Sequence, residues 1–244
     1  MPQQIRHFLN LPDISADTLK AILKNAHTLK AAKFNPPQVF EGLSLAMVFD
    51  KRSTRTRISF EVAMKQLGGH TIVMNMEEMQ ISGAESIQDT GQVLSRFVDG
   101  IMIRMSNHER LTELSKHTTI PVINGMTNES HPCQIMADLL TIEEKLGSVE
   151  GKKIAWFGDY NNVCKTFEQA APIFGFDLVI SVPTDLQPKH KLNERVSYSD
   201  DAAIAAQNAD VVVTDTWVSM GQEGKDISKF MPYQVNASLM AKAK

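Results

Sequence analysis

The chain has 244 residues, which is enough for one large domain or two smaller domains with separate cores. Its net charge of −3 argues against nucleic acid as the main partner. The two cysteines form no CxxC pair, and the N-terminus lacks the apolar run of a signal peptide or membrane span, so we expect a cytoplasmic protein that does not bind a membrane.

The first half of the sequence predicts an alternation of helices and strands. Ser15 precedes a helix over residues 16–32, whose apolar residues recur at helical spacing. Four short apolar strands are predicted after it, over residues 43–50, 70–75, 100–105 and 121–126. The helices between and after them are predicted over residues 57–68, 85–98, 108–117 and 133–147. This alternation is typical of a parallel sheet with helices on both faces.

A similar series follows residues 148–153, the candidate hinge. Its strands are predicted over residues 151–159, 177–183 and 210–217, and its helices over 161–175 and 199–209. Residues 188–201 between them are interpreted as a linker. We therefore expect an α/β fold with two doubly wound parallel-sheet domains, residues 1–147 and 148–244, joined by interdomain helices around residues 133–147. Ligands of such sheets bind at the carboxyl ends of the strands.

The segment "FDKRSTRTRISFE" at residues 49–61 lies at the first of these strand ends. A helix that begins there offers free N–H groups, the hydroxyls of Ser53, Thr54 and Thr56 add donors, and the Arg55 guanidinium suits phosphate oxygens. The alternative is a capped helix with solvated arginines, in which Arg57 pairs with a glutamate one turn on. We favour anion binding for the cluster and a structural role for Arg57.

Two further strand ends carry single polar residues. Arg104 directly follows the apolar residues of a strand, and His131 and Gln134 lie where the next helix begins after another strand. A histidine can donate to a carbonyl oxygen, and a glutamine oxygen can accept from an amide NH₂. Each could instead be a polar residue that marks a strand end or caps a helix.

The second half has different chemistry at its strand ends. The segment "WFGDYNNVC" lacks GxGxxG, and Tyr160, Asn161 and Asn162 stand where a dinucleotide would need close backbone approach, which argues against NAD. Asp215 ends a later strand and could hold an ammonium group, while the amides could bind a carboxylate. The alternative is an aspartate that caps a turn before a flexible glycine loop. One half therefore predicts an anion site and the other a zwitterion site.

The motifs "STRTR", "HPCQ", "WFGDYNNV" and "DTWVSMGQE" together resemble the aspartate/ornithine carbamoyltransferase family, from about Asn10 to the end of the chain. The first two are shared by carbamoyltransferases generally, and DxWxSMG is the signature of the ornithine-type members. The resemblance implies transfer of the carbamoyl group from carbamoyl phosphate to the δ-amine of L-ornithine, which gives citrulline and phosphate in arginine and citrulline metabolism. It also implies a homotrimer with shared active sites, and no metal or organic cofactor.

The resemblance further implies a role for individual residues. The implied catalytic residues are Arg55, Arg104 and His131. The implied carbamoyl phosphate site consists of Ser53, Thr54, Arg55, Thr56, Gln80, Arg104, His131 and Gln134. The implied ornithine site consists of Asn162, Asp215, Ser219 and Met220. Within the first site, Arg104, His131 and Thr56 would polarise the carbonyl, Gln134 would orient the NH₂ group, and Gln80 would reach a neighbouring subunit's site.

The sequence departs from the family pattern near its end. The family's HCLP motif and C-terminal helix do not occur after "NASLMAKAK", and the segment at 188–201 is shorter than the family's usual linker. We therefore expect the ornithine-binding domain to be incomplete at its C-terminal end, with a loss of activity if the chain truly ends there.

Two kinds of alternative function stay open. The first is another carbamoyltransferase, although an aspartate-type enzyme lacks the SMG loop and acetylornithine- or putrescine-specific relatives alter the second-substrate loop. The second is a non-catalytic module that binds carbamoyl phosphate or a protein partner. An incomplete site favours this module, whereas the intact set of Arg55, Arg104 and His131 opposes it.

Overall fold

The computed structural model describes residues 5–32, 35–79, 85–190, 192–218 and 224–244. The strands are β1 Ser44–Phe49, β2 His70–Asn75, β3 Gly100–Arg104, β4 Val122–Met126, β5 Lys153–Phe157, β6 Asp177–Ser181, β7 Val196–Ser199 and β8 Val211–Thr214. The helices are α1 Ala16–Ala31, α2 Thr54–Gln66, α3 Ile87–Phe97, α4 His108–Lys116, α5 Pro132–Leu146, α6 Asn162–Phe174, α7 Ala202–Ala206 and α8 Ala237–Met240. Short 3-10 helices lie at Leu11–Asp13, Met76–Glu78, Thr184–Leu186 and Ser228–Tyr233.

The strands form two parallel four-stranded sheets, so the predicted α/β fold with two parallel sheets is confirmed. The chain divides into two compact units, Met1–Met136 and Ala137–Lys244, and each unit holds one sheet. No helix within the described ranges is long and apolar enough to cross a membrane.

The sheet of the first unit has the strand order β2-β1-β3-β4. Successive residues of β1 enter opposite faces: Ala46 and Val48 belong to one buried apolar cluster, and Leu45 and Met47 to another. Both faces of β1 are therefore covered, as expected for a central strand of a parallel sheet.

The chain runs from β1 outward to β2 and then returns to the other side of β1 as β3. Ligands bind at such a reversal of strand order in open α/β sheets. The register pairs Phe49 with Arg104, so the carboxyl ends of β1 and β3 lie side by side at this point.

The second unit repeats this arrangement with the order β7-β6-β5-β8. The chain moves outward from β5 through β6 to β7 and then returns to the other side of β5 as β8, where Phe157 pairs with Thr214. The aromatic rings of Trp156, Phe167 and Phe176 pack in the core beside β5, with successive centroids 6.1 and 6.4 Å apart. The carboxyl ends of β5 and β8 thus meet at the reversal of this second sheet.

The prediction of a linker over residues 188–201 is wrong in part. Val196–Ser199 forms the edge strand β7, which pairs with β6 through the register Leu178 to Val196 and Ile180 to Tyr198. Val196 is fully buried, and the side chains of the following residues are only partly covered because the strand lies at the sheet edge. A strand of four residues in a polar segment leaves too short a pattern to be read from the sequence.

Helix α2 begins three residues earlier than predicted, at Thr54 instead of Arg57. This difference matters for the site, because Thr54, Arg55 and Thr56 become the first turn of the helix. The backbone N–H groups of a first turn have no acceptors within their own helix. Polar side chains and unpaired backbone donors therefore occupy the same short stretch after β1.

Candidate functional site

The N-terminus of α2 lies at the strand reversal of the first sheet. Ser53 has the extended backbone of an N-cap residue, yet its side chain makes no capping hydrogen bond within the described part of the chain. The serines before α1 and α3, in contrast, each accept from a backbone N–H of the first helical turn. The Ser53 hydroxyl is therefore not used to cap α2, and the positive end of the helix dipole favours an anion there.

Two arginines in α2 differ in their surroundings. Arg57 Nε lies 3.2 Å from a carboxylate oxygen of Glu61, one turn on, which is the ion pair that the sequence predicted. The Arg55 side chain is exposed in the first turn of the helix. Arg57 has this local partner, whereas Arg55 stands at the helix start. Of these two arginines, Arg55 is therefore the one suited to an incoming anion.

Arg104 ends β3 and is joined to α2 by a hydrogen bond. Its Nη1 donates to Oγ1 of Thr56 over 3.0 Å. Its Nε is buried and has no hydrogen-bond partner among the described residues. An unpaired buried donor is costly, and a bound acceptor would remove that cost. The guanidinium is therefore held on one side and has a donor to offer.

The electrostatic setting of Arg104 is mixed. Burial lowers the pKa of its guanidinium, and the neighbouring carboxylate of Asp50 opposes that effect. Asp50 itself is tied to the same strand end, since its backbone N–H donates to the Arg104 carbonyl oxygen over 3.0 Å. Even when lowered by burial, the pKa of an arginine leaves the side chain charged near neutral pH. The cation is thus retained at a partly desolvated position.

His131 lies between β4 and α5, at the end of a loop that is held by several hydrogen bonds. Asn124 is fully buried, and its Nδ2 donates to Oγ of Ser130 over 3.1 Å, while Thr127 N donates to the Ser130 carbonyl oxygen over 2.9 Å. The His131 carbonyl oxygen then accepts from the N–H of Gln134 over 3.1 Å. The loop therefore holds the histidine backbone at the beginning of α5.

Burial lowers the pKa of His131 to about 4, and the positive charge of Arg104 adds to the effect. The imidazole is consequently neutral near pH 7. A neutral imidazole can donate one N–H to a carbonyl oxygen without adding a second charge beside the arginine. This property suits polarisation of a substrate carbonyl.

The first unit therefore brings together part of the predicted site. Thr56 and Arg104 are hydrogen-bonded, and His131 lies close enough to Arg104 for the charge of the arginine to lower the pKa of the imidazole. Gln134 lies exposed in the first turn of α5. Gln80 lies outside the described residues.

The second unit has its own polar cluster where β5 and β8 end. Gly158 follows β5 with φ +117°, and a Cβ placed there would lie 2.5 Å from Nε1 of Trp217. The turn therefore needs glycine for its backbone angle and for the close approach of the indole. Trp217, which follows β8, stacks on Phe230 with the ring centroids 5.9 Å apart.

An ion pair lies at the same turn. Lys225 Nζ is 2.6 Å from a carboxylate oxygen of Asp159 and 4.9 Å from the centroid of the Phe230 ring. The side chains of this pair are only 25% and 15% exposed, so their attraction is screened less than at the open surface. Trp156 Nε1 also donates to the Asp159 carbonyl oxygen over 2.9 Å. Asp159 is thus held by its backbone and by its side chain.

Asn161 joins the ends of β5 and β8. Its Oδ1 accepts from the N–H groups of Val163 and Cys164 over 3.0 and 3.1 Å, which caps α6. Its Nδ2 donates to Oδ2 of Asp215 over 2.9 Å, and Thr216 N donates to the other oxygen of that carboxylate over 2.7 Å. Asp215 is exposed and oriented, with lone pairs still able to accept from an ammonium group.

The other predicted residues of the second site divide into two groups. Asn162 is the first residue of α6, directly after the asparagine that contacts Asp215. Ser219 and Met220 lie outside the described residues. Asp159 and Lys225 were not singled out from the sequence. Asn161 was interpreted as one of the amides that could bind a carboxylate, and its contact with Asp215 was not predicted.

The polar side chains of the two clusters differ in the ligands that they suit. Across residues 5–32, 35–79, 85–190, 192–218 and 224–244, no group of three or more His, Cys, Asp or Glu side chains is placed to hold a metal ion. The first cluster supplies hydrogen-bond donors and positive charge, and the second supplies a carboxylate and amides. These are the complements of a phosphate and of an amino acid.

Comparison with known protein families also divides the chain into two parts. Residues 6–144 match the family described as "Aspartate/ornithine carbamoyltransferase, carbamoyl-P binding domain". Residues 150–244 match the one described as "Aspartate/ornithine carbamoyltransferase, Asp/Orn binding domain".

Individual relatives agree with these matches. A protein named ornithine carbamoyltransferase from Brucella ovis is 48% identical to this chain, and the aligned region covers 98% of this chain and 80% of that protein. A protein of the same name from Agrobacterium fabrum is 48% identical, with coverage of 98% and 82%. The solved structure of ornithine carbamoyltransferase from Pyrococcus furiosus has a TM-score of 0.91 at 41% identity and covers 98% of this chain and 82% of that one.

Proposed function

The chain belongs to the aspartate/ornithine carbamoyltransferase family, and on that premise we propose that it transfers the carbamoyl group of carbamoyl phosphate to the δ-amine of L-ornithine. The products are L-citrulline and phosphate. The observation that carries this proposal is the Arg104–Thr56 pair beside the uncapped start of α2, with a neutral His131 near the same arginine. Carbamoyl phosphate needs both a phosphate site and a carbonyl-polarising donor beside it.

The first unit binds carbamoyl phosphate in this proposal. Ser53, Thr54, Arg55 and Thr56 hold the phosphate at the start of α2. Support comes from the unused Ser53 hydroxyl, the exposed Arg55 guanidinium and the positive helix end. Gln134 orients the carbamoyl NH₂ group, from which its amide oxygen can accept a hydrogen bond, and Gln80 reaches into the site of a neighbouring subunit.

Arg104, His131 and Thr56 polarise the carbamoyl carbonyl. As the neutral δ-amine attacks the carbonyl carbon, negative charge develops on the carbonyl oxygen and afterwards on the departing phosphate. Fixed donors aimed at these oxygens stabilise the transition state, and loss of one such donor commonly costs about 3–4 kcal/mol. The C–N bond forms first, the C–O bond to phosphate then breaks as the carbonyl is restored, and the leaving phosphate accepts the proton that the amine loses.

The second unit recognises ornithine. Asp215 binds the α-ammonium group, and Asn162, Ser219 and Met220 complete the site for the amino-acid end. Support comes from the oriented carboxylate of Asp215, both oxygens of which already accept hydrogen bonds from Asn161 and Thr216. A preorganised acceptor needs little rearrangement when the ammonium group arrives.

Ornithine is favoured over aspartate by the charges near this carboxylate. An aspartate side chain would need a cation of its own, but the cation at the β5 turn, Lys225, is already paired with Asp159 over 2.6 Å. The DxWxSMG signature that includes Asp215 points the same way. The second unit therefore suits a substrate that presents an α-ammonium group to Asp215 and has no second carboxylate, in agreement with ornithine.

The proposed enzyme is a cytoplasmic homotrimer whose active sites are shared between subunits, as the family resemblance implies. Exposed apolar side chains on one unit support an interface there: Ile58 and Val62 on α2, Ile72 on the edge strand β2, and Val93 and Phe97 on α3. The Phe97 side chain is 77% exposed, which is unusual for a large apolar residue unless a partner covers it. Both cysteines are free, as expected in a reducing compartment.

The decisive experiment is a citrulline assay with four candidate amines. The protein is supplied with carbamoyl phosphate and with ornithine, aspartate, putrescine or N-acetylornithine. Of the four amines, only ornithine is expected to give a carbamoylated product. Product with another amine would move the protein to a different specificity. Calorimetric binding of carbamoyl phosphate without product from any amine would instead favour the non-catalytic module.

A further inference from the structure

A buried carboxylate lies behind the ornithine-binding turn and has no part in the mechanism above. Glu168 stands in the middle of α6 and is only 3% exposed. Its two oxygens accept hydrogen bonds from two tyrosines, Oε2 from the hydroxyl of Tyr160 and Oε1 from the hydroxyl of Tyr198. A buried carboxylate is tolerated only when its oxygens are satisfied in this manner.

Both tyrosines are reliable donors to this carboxylate. Burial raises the pKa of Tyr160 and of Tyr198, and the hydrogen bond to Glu168 raises each of them further. Neither hydroxyl is therefore deprotonated near neutral pH. Hydrogen bonds in which one partner is ionised are also stronger than neutral ones.

The two tyrosines connect Glu168 to different parts of the second unit. Tyr160 lies in the turn between β5 and α6, whereas Tyr198 lies on the edge strand β7. The segment before β7 has a second link to the same residue, because Asn193 Nδ2 donates to the Glu168 carbonyl oxygen over 3.3 Å. The Tyr160 bond ties the turn to the middle of α6, whereas the side-chain bonds of Asn161 tie it to the first turn of that helix.

The turn that Tyr160 belongs to leads into Asn162 and contacts Asp215, two of the residues assigned to ornithine. Asp159 precedes Tyr160 and pairs with Lys225, and Asn161 follows it and donates to Asp215 over 2.9 Å. Asn162 comes next as the first residue of α6. A displacement of Tyr160 would therefore move groups on both sides of it.

We propose that Tyr160 and Glu168 are positioning residues for the second substrate. The hydrogen bond between them fixes the turn at residues 159–162 against α6, so that Asn162 and the Asn161–Asp215 pair are held in place before ornithine arrives. This inference rests on the proposed function for the identity of the substrate. The bond of Tyr198 to the same carboxylate stabilises the sheet edge and has no positioning role.

A matched pair of variants separates positioning from general stability. Tyr160→Phe and Tyr198→Phe each delete one tyrosine hydroxyl bonded to Glu168, and each keeps the aromatic ring. The probe is L-norvaline, which has the amino-acid end of ornithine but no reactive δ-amine, titrated calorimetrically in the presence of carbamoyl phosphate. Tyr160→Phe is expected to weaken norvaline binding by about tenfold or more, the loss typical of a hydrogen bond to a charged group. Carbamoyl phosphate affinity stays unchanged in both variants.

The control variant decides the interpretation. Tyr198→Phe is expected to leave norvaline affinity at the wild-type value. Equal weakening in both variants, or no weakening in Tyr160→Phe, would overturn the positioning role.

A second readout does not depend on the substrate. Hydrogen exchange in the ligand-free protein is expected to speed up at the backbone amides of residues 159–163 in Tyr160→Phe, and around β7 in Tyr198→Phe. Failure of the wild type to bind norvaline or form citrulline would count against the proposed function, while the exchange pattern would still test the role of Tyr160. Unchanged exchange at residues 159–163 would contradict it.

Discussion

Asn161 Nδ2 donates to Oδ2 of Asp215 over 2.9 Å, while Oδ1 of the same amide caps α6. One side chain thus couples the start of a helix to the orientation of a carboxylate on a different strand end. The helix and the ornithine site consequently share a residue, and the two roles can be separated by mutation.

Asn161→Ser is expected to separate them, because serine keeps the cap but is too short to replace the amide donor to Asp215. Stability should change by less than about 0.5 kcal/mol, since Ser and Asn are similar N-caps. Norvaline affinity should fall by roughly tenfold with the loss of one hydrogen bond to a carboxylate. Calorimetry and urea denaturation measure the two quantities.

The matched control is Asn236→Ser, the same change at the cap of α8, where Oδ1 accepts from Leu239 N over 3.0 Å. This variant should leave norvaline affinity unchanged. Similar losses of affinity in both variants would show that capping, and not the contact with Asp215, affects the ligand.

Asp215→Asn removes the charge of the carboxylate while keeping its size. The ammonium group of ornithine loses its ionic partner, so norvaline should bind about 10- to 100-fold more weakly, as for charge-assisted hydrogen bonds in general. Carbamoyl phosphate should bind as before, because it is assigned to the other unit. Equal weakening of both ligands in calorimetric titrations would make Asp215 a structural residue.

Arg55→Ala should abolish most carbamoyl phosphate binding while the protein stays folded. The Arg55 side chain is exposed, so its removal leaves no cavity, but the phosphate loses a charge-assisted partner worth roughly 1.5–3 kcal/mol. Titration with carbamoyl phosphate measures the loss, and circular dichroism checks the fold.

Arg57→Ala is the control for this variant, because Arg57 is two residues away and pairs with Glu61 at the surface. Its ion pair contributes only about 0.3–0.5 kcal/mol, and its loss should not affect the ligand. A wild-type affinity in Arg55→Ala, or an equal loss in Arg57→Ala, would contradict the assignment of the phosphate site.

Thr56→Val removes the hydroxyl that accepts from Arg104 Nη1 over 3.0 Å. The guanidinium then loses the contact that orients it, and the rate of citrulline formation should fall by about 100-fold, within the range for one misplaced transition-state donor. Thr56→Ser keeps the hydroxyl and should retain most of the rate. A similar fall in the serine variant would mean that the methyl group, not the hydrogen bond, is required.

His131 predicts a pH-dependent part of the stability. Its pKa is about 4 in the folded protein and close to 6.5 in the unfolded chain, so the unfolded state binds more protons between these values. The free energy of unfolding therefore increases as the pH rises from about 4 to 6.5. The stability that depends on neutral His131 is lost as the pH falls toward 4. Between pH 7.5 and 4.5 the contribution of His131 changes by about 2.5 kcal/mol.

Urea denaturation at these two pH values measures the effect. His131→Gln should lose about this part of the difference, because glutamine does not titrate. An identical pH dependence in the variant and in the wild type would show that the imidazole is not buried in its neutral form.

Much of the fold follows from apolar periodicity, but the edge of the second sheet does not. All strands predicted between residues 43 and 217 exist, since parallel strands covered on both faces leave uninterrupted apolar runs. β7 lies at an edge, where only Val196 is fully buried, and its short pattern is lost among polar neighbours. Burial on one side, over four residues, gives too weak a signal.

The strand-end positions of the candidate site residues could be predicted from the sequence, but their hydrogen-bond partners could not. The strand-end rule located Arg104, His131 and Asp215, whereas no pattern indicates which side chains touch across strands, such as Asn161 with Asp215. Glu168 left a clue, because it is four residues after Cys164 in α6 and belongs to the buried stripe of that helix. A glutamate in an apolar stripe needs buried donors, and the two tyrosines supply them.

Both tryptophans of the chain, Trp156 and Trp217, belong to the second unit. Trp156 is fully buried in the core, whereas Trp217 is partly covered, stacks on Phe230 and follows Asp215 by two residues. Tryptophan-selective fluorescence therefore reports on this unit alone, with a constant background from one indole and a variable signal from the other. An emission change on addition of norvaline would come from Trp217. Binding at the site of the second substrate could therefore be followed by the intrinsic fluorescence of the unlabelled protein.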